Sequence, residues 1–185
     1  MKTLFLDKKI DYNGSQLRSS WIRKTSGIKN DAMVAFIGGC NVLPEFMVDL
    51  EDKAAGCEIF SEEMLHFIIE HAEIDLEKMI LRQRLLASIV IQAINKERPD
   101  ISLIRSGNDI YDRDSKLNVS IATTSPVSGL IHFGINVSSE NTPVKTKSLN
   151  DYQLNPKTFA LNVMKEYKQE LDGVEHARGK VKKVD

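Results

Sequence analysis

Three stretches hold most of the residue types that do chemistry: Arg105-Ser-Gly-Asn-Asp-Ile-Tyr111, Ser115-Lys-Leu-Asn-Val-Ser-Ile121 and Ile131-His-Phe-Gly-Ile-Asn-Val137. In the last, Ile131, Phe133, Ile135 and Val137 alternate with His132, Gly134 and Asn136, so a strand sends the two sets to opposite faces. Glycine weakens a strand, and Gly134 therefore marks a close approach by a ligand or another backbone. In the stretch before it, Lys116, Asn118, Ser120, Ala122 and Thr124 share one parity. If the two strands pair, these small and polar sets form one sheet face, the floor of a ligand cavity, with Lys116 pointing into it. A solvated sheet face carrying an ordinary surface lysine fits the same spacing.

Other residues have two readings each. Arg18 can reach a bound anion from an exposed helix side, although a surface salt bridge is the commoner fate. Asp49, Glu51 and Asp52 can offer oxygen ligands to Mg²⁺, or simply end a solvated strand. His66 and Glu70 share a strand face, as an acid/base pair would; a buried, hydrogen-bonded histidine is the commoner outcome. Cys40 and Cys57 lack metal-type spacing and read as free cytosolic thiols.

The elements that must position these residues can be read in order. A strand covers Thr3–Leu6, and a helix runs from Ser15 as cap to Gly27 as stop. Ala32–Gly38 is apolar on both alternations and fits a strand covered on both faces. Phe46–Glu51 and Met64–His71 alternate as strands. Asp75 caps the longest helix, which Pro99 follows. Strands follow over Leu103–Arg105 and Asn108–Tyr111. Beyond a hairpin turn at Asp112–Ser115, Lys116–Thr124 and Gly129–Val137 run as further strands. The last helix starts at Asn155 with Pro156 behind it and stops at Gly173. This order predicts an α+β fold, a mainly antiparallel sheet with helices packed on one face. Residues 1–173 form a single domain in this reading, and 174–185 a basic, frayed tail.

Composition sets the class. The 185 residues are 42% hydrophobic and 28% charged, which suits one folded, soluble domain. The formal net charge of −1, from 25 basic and 26 acidic residues, argues against a nucleic-acid partner. The longest apolar stretch, Met79–Ile94, is broken by Arg82, Gln83 and Arg84, so no membrane span is expected. The first residues do not read as a signal peptide, and a cytoplasmic location is expected.

The three stretches resemble the second half of the biotin protein ligase and lipoate ligase catalytic domain. Biotin ligases carry a lysine and an aromatic, then Pro-Asn-Asp, a hairpin, a Lys-Leu strand start and a Gly-Ile-Asn-Val strand. Here Arg105 takes the place of the first lysine, Asn108 and Asp109 match the Asn-Asp pair, and Lys116 opens the strand. Gly134-Ile-Asn-Val137 matches the last segment. The whole chain is more similar still to an archaeal family known as domain of unknown function 366. That likeness includes Leu6-Asp-Lys8, Gln16-Leu-Arg18 with Trp21, and Val48-Asp-Leu-Glu-Asp52. It implies the fold shared by biotin and lipoate ligases and class II aminoacyl-tRNA synthetases.

By that resemblance the activity is ATP-dependent activation of a small carboxylic acid, or acyl transfer, with Mg²⁺. The alternative is a catalytically silent module that binds a nucleotide or small molecule. Lys116 is the candidate catalytic residue, contacting phosphate or carboxylate. Asn108 and Asp109 hold the hairpin and the nucleotide side, and Arg105 clamps an anion. Arg18, His132, Gly134 and Asn136 complete the expected ligand-binding set, and relatives of this fold imply a homodimer. Two features depart from the ligases. Their arginine-rich loop, Gly-Arg-Gly-Arg-Arg-Gly, corresponds here to Glu51–Glu58, with one lysine and three acids. Their glycine beyond the Lys-Leu start is Val119.

Overall fold

The computed structural model describes residues 1–184. Its main sheet is built on β2 (Ala32–Asn41), apolar on two faces, and β3 (Phe60–His71), and both strands are covered on two faces. With β1 (Lys2–Phe5), β7 (Asn118–Thr124) and β8 (Gly129–Asn136) they form five strands in the order β1-β2-β3-β8-β7. Only β1 and β2 are parallel; the other neighbours are antiparallel. A second sheet holds β4 (Leu103–Ser106), β5 (Asp109–Asp112) and β6 (Ser115–Lys116).

Two long helices cover one face. The first is α3 (Leu76–Glu97), where Asp75 Oδ1 accepts from the Lys78 amide at 3.0 Å. The second is α4 (Pro156–Gly179), where Asn155 caps Thr158 and proline at the first position lacks only a donor that has no partner there. Met33, Leu65, Phe67, Ile131, Phe133 and Ile135 meet the buried stripes of these helices. The opposite face carries Val34, Phe36, Met64 and Ile68, packed against Tyr12, Trp21 and Ile22 of the N-terminal segment. That second layer includes α1 (Trp21–Ser26), so one short helix lies across the sheet from the two long ones.

Four local expectations change. The first helix does not begin at Ser15. Residues 15–20 form turns, and Ser20 sits at φ 62°, outside helical space, with its amide donated to Glu70 Oε1 at 2.8 Å. Phe46–Glu51 is not a strand. Pro44–Phe46 is a 3-10 turn, and Asp49 caps α2 (Leu50–Ala55) by accepting from the Glu51 and Asp52 amides. Six alternating residues are too few to overrule a cap of that kind. The expected strand Lys116–Thr124 divides at Leu117, and its two parts enter different sheets. Finally, α4 passes through Gly173 and ends at Gly179, because a glycine in a helix costs only about 1 kcal/mol and the chain around it keeps helical geometry.

Nothing lies within 4 Å of a methyl group placed on Gly173, and its backbone is not left-handed. Gly173→Ala is therefore expected to stabilise the protein by about 0.5–1 kcal/mol, with a rise in thermal midpoint and helical circular dichroism. A chain that left the helix at Gly173 would show no change.

Candidate functional site

A cavity of about 420 Å³ lies on the sheet face opposite α3 and α4. Its floor is β3, β8 and β7, and its roof is the segment from Val42 to Phe60 together with residues 142–146. The floor differs from the expected all-polar patch. Val119 pairs with Gly134 and Ile121 with His132, whereas Ser120 pairs with Phe133 and Asn118 with Ile135. Register thus sets the apolar residues of β7 beside the polar residues of β8. Asn118 and Ser120 share the parity of the helix-facing set, and the buried Gln83 of α3 donates to Ser120 Oγ at 2.8 Å.

Five of the expected site residues line the cavity: Asn108, Asp109, Lys116, His132 and Asn136. Lys116 Nζ is 2.9 Å from Asp109 Oδ2, and the two side chains keep 30% and 25% exposure, so each remains within reach of a ligand. Asn108 donates to the Ser120 carbonyl at 3.3 Å, and Asn118 donates to the Asn108 carbonyl at 3.0 Å and accepts from the Ile110 amide at 2.7 Å. These bonds pin the hairpin of β4 and β5 to β7 and so aim Asp109 at Lys116. Asn136 donates to the Lys147 carbonyl and holds the loop that roofs the cavity.

Three expected residues lie elsewhere or act otherwise. Arg105 is exposed on β4, and its guanidinium folds back onto the Gly107 carbonyl rather than clamping an anion. Arg18 is exposed in the turn before α1 and does not reach the cavity, because the helix that was to carry it begins three residues later. Gly134 does make room, but for a side chain: a methyl group there would overlap Met64 Sδ and sit 3.4 Å from His132 Cε1. His66 and Glu70 share a face without forming a pair. Glu70 accepts from the Ser20 amide and from Ser128 Oγ at 2.9 Å.

His66 is instead bonded to His132. Its Nδ1 lies 3.0 Å from His132 Nε2, and both rings are buried. Tyr12 stacks on His132 with 3.8 Å between centroids, and Phe36 stacks on His66 at 5.0 Å. Tyr12 gets there because residues 10–12 cross the sheet face above Gly38, where any side chain would overlap the Ile10 carbonyl. The crossing is tied down by Tyr12 N to Gly39 O and Asn41 N to Tyr12 O. Burial holds His66 at about 4, opposed in part by the backbone of Gly38 and Gly39 and by Asp11. Burial, and then the neighbouring His66, push His132 well below the ordinary histidine range. Both rings are neutral at pH 7.

The roof is acidic. Among the described residues that line the cavity, Asp49, Asp52, Glu58 and Asp109 are carboxylates and Lys116 is the one ammonium. Asp49 Oδ1 is committed to the cap of α2, at 2.9 Å from the Glu51 amide. Cys57 is a free thiol at the cavity wall, and Cys40 is buried with its thiol pushed up to about 12. Sequence reasoning had no signal for Tyr12; the acids of residues 49–58 were visible in the sequence, but not their place above the cavity. A buried, hydrogen-bonded His66 was the commoner of the two outcomes expected for it; its partner was not readable.

Two outcomes follow. In the unfolded chain His66 takes up a proton below about pH 6.5, while the folded ring resists it down to about 4. Its folded pKa is depressed, so stability is full above pH 6.5 and falls by about 3 kcal/mol by pH 4. Urea unfolding of wild type and His66→Phe across that range should show a shallower loss in the variant. Gly134→Ala should cost about 1–3 kcal/mol, as Met64 and His132 must shift, and should broaden the His132 resonances in NMR spectra.

No helix among the described residues is long and apolar enough to cross a membrane. The fold is that of the biotin protein ligase catalytic domain. A biotin protein ligase of Aquifex aeolicus in complex with biotin and ATP superposes with a TM-score of 0.60 at 16% identity, over 92% of this chain and 70% of that one. A protein of unknown function from Pyrococcus horikoshi superposes with a TM-score of 0.93 at 34% identity, over 100% and 99% of the two chains. An uncharacterized protein of Methanocaldococcus jannaschii is 38% identical over 95% of this chain and 81% of its own length. With residues 1–182 matched by the family described as domain of unknown function 366, the chain belongs to that family.

Proposed function

We propose that the cavity binds a small carboxylic acid and that the protein activates it with ATP, or passes on the acyl group, as its ligase-like fold suggests. The observation that carries this reading is Lys116. It is the one cation among the described lining residues, and Asp109 holds it at 2.9 Å on the wall of a cavity whose other charged lining residues are all carboxylates. A fixed ammonium there meets the charge that builds on a carboxylate or an α-phosphate, which is where preorganised cations lower a barrier most. Asn108 and Asn118 position it through the hairpin, and Asn136 sets the roof loop. Asp109 orients the ammonium and can share in binding a metal-bound nucleotide.

The donor set fits a magnesium-bound nucleotide better than a free one. Four carboxylates beside one lysine repel a bare triphosphate, and a divalent cation with oxygen ligands offsets that charge. Among the described residues no cluster of three or more ligands stands ready for a metal, so Mg²⁺ would arrive with the nucleotide. ATP would supply the adenylyl group and the pyrophosphate leaving group. A second reading, a silent module that binds a ligand without turnover, is favoured by the acidic roof in the place of the ligases' arginines. As further parts of this reading, the chain acts as one domain and pairs as a homodimer in the cytoplasm.

Magnesium-dependent exchange of labelled pyrophosphate into ATP, run with a panel of carboxylic acids, separates the two readings. We expect exchange with at least one acid and a loss of about a hundredfold or more in Lys116→Ala with the fold intact. Thermal stabilisation by nucleotide without exchange would establish the silent module. Neither exchange nor stabilisation would overturn both.

A further inference from the structure

The outer side of the roof is an uncovered apolar strip edged by acids. Of the described residues, none in the 3-10 turn Pro44–Phe46 or in α2 is buried. Phe46, Val48 and Phe60 are each more than a third exposed, and Leu50 is 78% exposed. A second cavity of about 520 Å³ follows the same segment, with Leu43, Pro44, Met47 and Ile59 on its walls. Asp52 and Glu58 give it acids, and Lys53 is its one described cation. Met47, Glu58 and Phe60 border both cavities, whereas Lys116 and the strands of the floor, β7 and β8, have no part in the second. Glu45, Glu51 and Glu58 are exposed along the strip. A contiguous apolar surface rimmed by charge is a place where another surface docks.

The complementary surface is carried by the same chain. From Asp172 to Val184 every described residue is exposed. α4 thus runs two turns past Leu171, the last of its residues packed on the core. Short helices draw their stability from packing, and this overhang packs on nothing within its own chain. Arg178 is held by Glu175 at 2.8 Å. Beyond it come Lys180, Val181, Lys182, Lys183 and Val184, three cations interleaved with apolar side chains. Val184 is 92% exposed, and Val174 and Val181 are exposed with it.

This tail cannot reach its own roof. Near its start α4 sets Lys157 over the Phe5 ring; Phe5 pairs with Ala35, and Ala35 with Phe67. Further along, Tyr167 meets His71 at 3.3 Å. α4 therefore runs along β3 away from Phe60, where the roof joins the sheet. From Phe60 to His71 the strand spans about 36 Å, and α4 goes on for about 18 Å beyond Tyr167. Five extended residues cover only about 17 Å.

We propose that the overhang and tail of one copy, residues 174–184, dock on the roof of a second copy. The valines cover the strip around Leu50, and the lysines face Glu45, Glu51 and Glu58. The apolar contact supplies the affinity, and the opposite charges set the partner and its orientation. Roof and tail lie at opposite ends of the molecule, so two copies side by side and antiparallel make both contacts at once. The result is a closed two-fold pair rather than an open chain. Each copy then braces the roof of the other's cavity. The inference deepens the homodimer reading above, on which it rests, by naming the surface that pairs.

Sedimentation equilibrium of the full chain, without ATP or any acid, tests this. The wild type should be a dimer at about 0.05 M salt and come apart by about 0.5 M, since exposed charges are screened there. Lys182→Glu with Lys183→Glu, and in a separate chain Glu51→Lys with Glu58→Lys, should each weaken pairing about tenfold or more. All four side chains are exposed, so circular dichroism and the thermal midpoint should stay as in the wild type. Mixed in equal amounts, the two variants should pair with each other, because each tail then meets a roof of opposite charge. All four changes in one chain should restore the homodimer. A monomer at low salt would overturn both this proposal and the homodimer reading. A dimer indifferent to the reversals, reversals that mixing fails to rescue, or an open ladder of larger assemblies would overturn this proposal and leave pairing itself in place. Pyrophosphate exchange decides the activation reading independently of all these outcomes.

Discussion

The pairing of β3 with β8 is the constraint on which the site depends. Its register sets His66 opposite Gly134 and Ile68 opposite His132, so the two histidines stand diagonally on one sheet face. A shift of β8 by one residue would turn His132 into the helix-facing core, bring Phe133 out into the cavity and part the two histidines. The apolar alternation on the far face, Leu65, Phe67 and Ile69 against Ile131, Phe133 and Ile135, holds that register because each of these residues is fully buried beneath α3 and α4. Core packing on one side of the sheet thus locates the polar pair on the other.

Small residues then decide what reaches the pair. Gly38 lets the N-terminal segment lie directly on the sheet, which carries the Tyr12 ring over His132. Gly134 leaves the space that Met64 fills. Both glycines serve contacts within the protein, and the cavity is what remains between those contacts and the roof. The roof carries most of the negative charge around the cavity. Asp49 occupies the α2 amides with its own carboxylate, and Asp52 and Glu58 add to the negative charge above the floor. Lys116 works against that background, and its pairing with Asp109 makes it a directed charge rather than a mobile one.

Much of the architecture was legible in the residues because its signals are local. Asp75 and Asn155 as caps, Pro156 behind its cap, the two-faced apolar run of β2 and the alternation of β3 all act within a few positions of themselves. The short elements between β2 and β3 were not legible. Phe46–Glu51 alternates like a strand, yet the Asp49 cap and Pro44 made it a turn and a helix. Arg18 and Arg105 were chosen for their charge and by resemblance, and their backbones point that charge to solvent. Asn108, Asp109, Lys116, His132 and Asn136 line one cavity.

The sequence by itself determined the α+β class, the two long helices with their caps, and the three stretches from which the site is drawn, since periodicity, capping and turn chemistry are written in neighbouring residues. Only the tertiary structure decided that Val119 and Ile121, rather than Asn118 and Ser120, pair beside the polar residues of β8. It alone joined His66 to His132 across 66 positions and brought Tyr12 over them. Strand register and the crossing of distant segments follow from how the whole core fills its volume, and no local pattern of residues encodes that.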